Sequence, residues 1–444
     1  MLSRRKFIHL TASASILSGV TPNLNLLAAE QDGEYQGDLF VMVQALGGWD
    51  VTSFCDPKLN VPNEAEINHW ARTGDIETAG NIRYAPFADN KNFFEKYYKH
   101  MLVVNGIDSQ TNSHDAGKTH NFSGRLANGY PTPTALAASV YASDLPMAYV
   151  TQGGYNETAR LIRANRINNS RSLSNIINPN LYNDTTTHLP DGDWQRIQNY
   201  HAQRNARLNS QTNLTPRQGY NRQLFNSAVA NSGKLAKLSD SLKLTQQDRY
   251  ESGQLGNFKK TTDITLAGFL SGVTASADLT IGQFDTHDNH DEEHAVALTN
   301  LTQAIDYLWQ QAEVFGLADR LKVMVASDFG RKPFYNDDNG KDHWPISSAL
   351  FMQKNATWGN RVVGVTDEGH NALAVNPVTL ERDDSSGVII YPKDILTSTR
   401  QFFNVASHDF AAPFPLRAEN NIDIFNNQLQ TAQLSDPRNL IRRV

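Results

Sequence analysis

Hydrophobic positions along this chain follow two rhythms. Short unbroken apolar runs stop abruptly at Gly or Asp, whereas longer stretches repeat apolar residues every three or four positions. Asp38–Ala45 (DLFVMVQA) is of the first kind and stops at Gly47-Gly48-Trp49-Asp50, which predicts a buried strand closed by a tight turn. Met101–Ile107 (MLVVNGI), ending at Asp108, predicts a second strand, and Pro146–Thr151 a third. Ala277–Phe284, ending at Asp285, predicts a fourth, and Leu321–Ala326 (LKVMVA), ending at Ser327-Asp328, a fifth. Between the last two, Ala295, Leu298, Leu301, Ile305, Leu308, Ala312 and Phe315 fall on one helical face. Strand, helix and strand in that order form the crossover unit of parallel sheets, so the predicted class is α/β.

Residues 160–260 break this texture. They are rich in Asn, Gln and Arg, with helical patches at Asp193–Leu208 and Arg222–Leu244. They predict a helical insertion or cap within one domain spanning 30–444, a disordered linker being the alternative. The whole chain has 444 residues, 39% of them hydrophobic, enough to fill a large core. A net charge of -6 gives no general attraction to nucleic acid or to an anionic membrane.

The N-terminus changes the picture of where the protein works. Ser3-Arg4-Arg5-Lys6-Phe7-Ile8 fits the twin-arginine pattern, and His9–Val20 is only modestly apolar, too short and polar to span a bilayer. Residues 1–29 are expected to be a signal peptide, with a weak cleavage point at Ala28-Ala29, read by the twin-arginine export machinery. The expected location is the periplasm, reached in the folded state, with no transmembrane segment in the mature chain. Cys55 is the single cysteine, so no intramolecular disulfide forms even in that oxidising compartment.

Ligands of open parallel sheets sit beyond the carboxyl ends of the strands. Four predicted strands deliver an acid there: Asp50, Asp108, Asp285 and Asp328. The string QFDTHDNHDEEH (283–294) adds His287, His290 and His294. It invites comparison with the metalloprotease H-E-x-x-H, but position 291 is Asp where that motif needs its Glu base. His290 and His294 are therefore expected in a solvated first helical turn, beside Asp291, Glu292 and Glu293, which the helix dipole favours there.

NSHDAGKTHNFSGRLANG (112–129) combines Ser113, His114, Asp115, Lys118, His120 and Arg125. Ser113 reads both as a hydroxyl activated by a cation and as a helix N-cap, and Lys118 or Arg125 as a receiver of an anion. The later string ASDFGRKPFYNDDNGKDHWP (326–345) supplies Asp328, Arg331, Asp342 and His343. Carboxylates and imidazoles without thiolates suit zinc first, with calcium, magnesium or manganese as alternatives. His69, His100, His188, His201, His370 and His408 stand alone in sequence and are expected at the surface or satisfied in the core.

Taken in order, the twin-arginine leader, G-G-x-D, the Ser-His segment, Asp285-Thr286-His287, Ser327-Asp328-Phe329-Gly330-Arg331 and Asp342-His343 resemble the exported domain-of-unknown-function family 1501. That family is similar to the alkaline phosphatase and sulfatase superfamily. The resemblance implies a three-layer α/β/α sandwich around a mostly parallel sheet, alkaline phosphatase-like, holding one or two divalent metal ions. It implies that Asp50 is a metal ligand, that Asp285 and His287 bind one cation, and that Asp328 and His343 complete the site. Ser113 takes the nucleophile's place beside His114, Arg331 orients an anionic substrate or a neighbouring carboxylate, and Asp342 holds the tautomer of His343. Asn289 and Phe329 stand where the superfamily carries imidazoles, and the sulfatase C-x-P-S-R is absent. The expected function is hydrolysis of a small anionic phosphate or sulfate ester; the alternative is a non-catalytic exported binding protein that keeps the fold.

Overall fold

The computed structural model describes residues 35–425 apart from 168–176, 184–185, 216, 220–221, 223–225, 227–231, 248 and 421. The expected leader, 1–29, lies outside the described residues, as do parts of the 160–260 segment. The chain opens with β1 (Leu39–Ala45), the ribbon of β2 (Glu77–Ala79) and β3 (Ile82–Tyr84), helix α1 (Asn90–Tyr97) and β4 (Met101–Asp108). Helices α2 (His114–Ser123) and α3 (Pro133–Tyr141) precede β5 (Tyr149–Thr151) and β6 (Ala164–Arg166). Then come α4 (Asp191–Asn209), α5 (Ser232–Thr245), α6 (Gln254–Leu270), β7 (Ser276–Ile281), α7 (His290–Val314) and β8 (Leu321–Ser327). The short pair β9 (Gly330–Arg331) and β10 (His343–Trp344) leads into β11 (Ile346–Gln353), β12 (Arg361–Val363) and α8 (Pro392–Phe402).

Eight strands form the central sheet in the order β12-β4-β11-β8-β1-β7-β5-β6. β1 is parallel to both β7 and β8, and β11 alone runs antiparallel, to β4 and β8. Every residue of β1 is buried, as a parallel strand covered on both faces requires. Alternate residues feed opposite layers: Leu39, Val41 and Val43 join α1, α6 and α7 on one face, whereas Phe40 and Met42 join α2, α3 and α8 on the other. This is the three-layer α/β/α arrangement, with helix α7 as its longest brace. Leu298, Leu301, Ile305 and Leu308 on its inner stripe have no exposure, and each contributes about 2–3 kcal/mol of burial.

Helix α7 begins at His290, where the sequence places its first turn. Two differences from the sequence reading have physical causes. The fourth strand stops at Ile281, because Gln283 turns through a positive φ of 76° and Phe284 folds under the sheet's end. β11 escaped notice because Ser347 and Ser348 interrupt its apolar run. In the 160–260 segment, α4 buries no residue, whereas α5 packs on α6 through Leu238 and Leu242. No helix among the described residues is long and apolar enough to cross a membrane.

One buried acid makes the core sensitive to pH. Asp278, in the middle of β7, receives the Thr134 hydroxyl on Oδ1 and the Tyr149 hydroxyl on Oδ2 at 2.6 Å. Burial pushes its carboxyl up from 3.8 to about 7, the hydroxyl donors offsetting only part of the rise. A raised folded-state value means that the stability of the neutral acid is present below about pH 4 and lost as pH climbs through 7. The loss is on the order of 4 kcal/mol. Asp278→Asn should flatten this decline, so urea unfolding at pH 5 and pH 9 should separate the two proteins; equal pH slopes would refute the assignment.

Candidate metal centre at the carboxyl rim of the sheet

The turn after β1 is built from both sides. Gly47 and Gly48 adopt positive φ values of 119° and 80°, which glycine alone takes without strain. Their amides donate to Asp328 Oδ1 at 3.1 and 2.7 Å. Their carbonyls accept from Arg331, whose Nε reaches Gly48 O at 2.8 Å and whose Nη2 reaches Gly47 O. Arg331 Nη1 donates to Lys341 O at 2.8 Å, and Nη2 also pairs with Asp285. The guanidinium has no exposure and is occupied by these partners. Of the two roles implied for Arg331, holding a neighbouring carboxylate is the one this geometry serves; contact with substrate is corrected, because a buried guanidinium reaches no solute.

Asp328 is also buried, and its Oδ2 accepts from His114 Nδ1 at 2.6 Å. A carboxylate only accepts, so the His114 proton sits on Nδ1 and Nε2 keeps its lone pair. That nitrogen is buried without a hydrogen-bond partner, 3.4 Å from Asp285 Oδ2. The bond to Asp328 raises the His114 imidazole above its ordinary value, against the opposing pull of burial. Helix α2 brings His114 this close because Gly117 lies against the strand end; a Cβ there would stand 2.4 Å from Asp328 O.

Two more imidazoles are fixed by the same logic. His343 Nδ1 donates to the Asn112 carbonyl at 2.7 Å, and His287 Nδ1 faces Asp342 Oδ1 at 3.2 Å. Both Nε2 atoms are therefore left with lone pairs, and they stand 3.0 Å apart. Each also lies 3.1 Å from Asp285 Oδ1. Burial alone would push the Asp285 carboxyl up, but its cationic surroundings, the Arg331 guanidinium foremost, bring it down to about 2. His114, Asp285 and His343 offer ligand atoms within 4.8 Å of one another, with His287 alongside.

These donors fit a divalent cation. Lone pairs on neighbouring nitrogens repel unless a positive centre lies between them. The contacts of Asp285 with the three imidazoles and of His287 with His343, at 3.0–3.4 Å, lie near the roughly 3.3 Å edge of a tetrahedron with zinc–nitrogen bonds of about 2.0–2.1 Å. Each imidazole is steadied at Nδ1 by an oxygen, the arrangement that orients histidine ligands. Phe329, fully buried, floors the site with its ring 4.7 Å from that of His114 and 4.6 Å from that of His343.

Other expected site residues fall elsewhere. Asp328 holds His114 and the glycine turn rather than the cluster itself. Asp342 steadies His287, not His343, whose partner is the backbone of Asn112. Asp50 leaves the rim altogether. It is fully buried, with Lys341 Nζ at 2.7 Å and His290 Nε2 at 3.0 Å on Oδ2. Burial pushes its carboxyl up, yet the Lys341 ammonium and the His290 bond hold it well below the usual carboxylate range. His290 and His294 have no exposure, which corrects the solvated first turn expected for them.

Ser113 is the exposed N-cap of α2, and its side chain caps no amide. Lys118 pairs with Asp115 at 3.2 Å, and the Arg125 guanidinium lies over the Tyr130 ring. Asp108 accepts from the Gln110 amide and closes its own turn. Among the isolated histidines, His69 pairs with Asp291 at 2.7 Å, whereas His370 is buried with neither ring nitrogen bonded. Lys341 carries no local sequence signal of burial, because its partners Asp50 and Asn68 lie far back in the chain.

No curated protein matches this sequence. Among solved structures, the chain is similar to Ps i-CgsB in complex with k-i-k-neocarrahexaose, at 7% identity over 90% of this chain and 78% of that one, with a TM-score of 0.37. It is similar to the lipoteichoic acid synthase LtaP from Listeria monocytogenes at 11% identity, covering 93% and 81%, with a TM-score of 0.35. It is also similar to alkaline phosphatase from the Antarctic bacterium TAB5 at 9% identity, covering 74% and 95%, with a TM-score of 0.32. These likenesses are of general architecture, and the chemistry of the rim rests on its own geometry. The family profile described as "Protein of unknown function (DUF1501)" matches residues 39–382, and the chain belongs to that family.

Proposed function

We propose that this chain is a metal-dependent hydrolase of phosphate or sulfate esters that works in the periplasm. The observation that carries this reading is the convergence of three imidazole lone pairs on the Asp285 carboxylate at the solvent-facing rim. His114, Asp285 and His343 would hold the ion, with His287 beside them. A divalent ion bound there polarises an ester oxygen and eases loss of a proton from a nearby hydroxyl.

The remaining work belongs to the chain. Asp328, Asn112 O and Asp342 keep protons on the three Nδ1 atoms, and Arg331 fixes Asp285. The first turn of α2 presents backbone amides and the positive end of the helix dipole beside the cluster, a setting that favours an anionic ester. Ser113, exposed at that turn, is the nucleophile in this reading. Its attack forms an Oγ–P or Oγ–S bond as the ester's O–P or O–S bond breaks and the alcohol leaves with the proton that Oγ gave up; water then cleaves the new ester, releasing phosphate or sulfate and returning a proton to Oγ. The periplasmic location rests on the Ser3–Ile8 pattern.

Purified protein given zinc, calcium or manganese should bind metal, gain melting temperature and turn over aryl phosphates or aryl sulfates. His114→Ala should lose both binding and turnover, and Ser113→Ala should lose turnover while keeping the metal and the fold. Absence of both metal binding and turnover in the unaltered protein would sink the proposal. Metal binding without turnover would favour the exported binding protein instead.

A further inference from the structure

Behind the rim lies a second set of metal-type donors that the proposed reaction does not use: Asp50, His290 and His294, all without exposure. Their hydrogen bonds can be followed from one fixed end. The backbone N–H of Asp50 only donates, so His294 Nε2, 2.8 Å away, accepts. Neutral His294 then carries its proton on Nδ1, 3.2 Å from Thr286 Oγ1. The Thr286 hydroxyl, having accepted, donates to His290 Nδ1 at 2.7 Å. His290 is left with its proton on Nε2, which it gives to Asp50 Oδ2 at 3.0 Å. The loop closes on the residue where it began, and it leaves His290 a donor with no lone pair for a cation.

The positive charge that Asp50 needs comes from the chain. Lys341, also without exposure, places Nζ 2.7 Å from Asp50 Oδ2, 3.0 Å from Asn68 Oδ1 and 3.5 Å from Thr52 Oγ1. Those three oxygens are the kind that surround a hard divalent ion. The Tyr335 ring closes the pocket 5.0 Å from Nζ.

We propose that Lys341 is a resident cation, its ammonium filling the place beside Asp50 that a second divalent ion would take, so that the chain binds one ion. The count of one rests on the reading of the rim cluster as a metal site; the occupancy of the Asp50 pocket does not. The device also sets the rim in register before any metal arrives. Thr286 stands between Asp285 and His287, Lys341 N donates to Thr286 O at 3.1 Å, and His343 follows two residues later.

Metal counting by elemental analysis, after dialysis against manganese or zinc, tests this. The unaltered protein should hold one equivalent, and Lys341→Ala, shown folded by circular dichroism, should hold one more than the unaltered protein. Nitrogen-15 spectra should show the Nε2–H tautomer for His290 and the Nδ1–H tautomer for His294. Two equivalents in the unaltered protein would overturn the proposal even if Lys341→Ala failed to fold. An unchanged count in the folded variant, or a His290 proton on Nδ1, would do the same. Zero equivalents in the unaltered protein with one in Lys341→Ala would remove the rim centre but leave the lysine's role standing.

Discussion

Asp328→Asn is expected to keep the fold and to weaken zinc affinity by about 10–100-fold, the usual cost of losing an outer partner of a metal-bound histidine. The amide oxygen still accepts from the Gly47 and Gly48 amides, as Oδ1 does now. The amide nitrogen then meets His114 Nδ1 across the present 2.6 Å contact. Its hydrogens force Nδ1 to accept, which moves the imidazole proton to Nε2 and extinguishes the lone pair aimed at Asp285. Asp328→Ala should fail differently. It strands the Gly47 and Gly48 amides at about 1–3 kcal/mol each, so urea midpoints should fall together with affinity. Competition titration with a zinc chelator and urea unfolding distinguish the two variants, and zinc binding by Asp328→Asn equal to that of the unaltered protein would refute the tautomer argument.

Asp50→Ala should be the most destabilising single change, at about 3–5 kcal/mol, because it leaves the Lys341 ammonium buried without its counter-charge. The pair lies in the interior, so high salt should not screen the loss. Adding Lys341→Met removes the stranded charge, and the double variant should recover a large part of the stability, a coupling that a double-mutant cycle in urea measures. Purely additive losses would show that the two groups do not depend on each other. The depressed carboxyl of Asp50 also has a defined pH sense: the stability it confers is present above the ordinary carboxylate range and disappears only as pH falls through its lower folded value.

The fold was legible wherever burial on both faces wrote itself as a continuous apolar run. β1, β4 and β8 are such runs, each ended by a turn that carries an acid. β11 was not legible, since two serines mark it as a polar stretch although both are buried. At the site, the residue types were readable and their partners were not. Asp342 and His343 are adjacent in sequence, yet the β10 backbone turns their side chains to different neighbours, so adjacency suggested the wrong pair. The acidic string Asp291–Glu293 drew attention to solvent. The spacing of His290, His294, Leu298 and Leu301 carried the better signal, because it extends the buried stripe of α7 backward by two turns. Lys341 left no such trace, since its partner lies 291 positions earlier in the chain.

The reversed direction of β11 bears on how the rim behaves under load. Asp285 stands on a segment leaving the sheet, whereas His343 stands on one about to enter it, 58 residues further on. A cation held by both would work as a buckle between an outgoing and an incoming strap, and slack in either strap would be shared with the other, so that the edge would stiffen as a unit. The middle of the sheet is clamped instead by its two apolar layers.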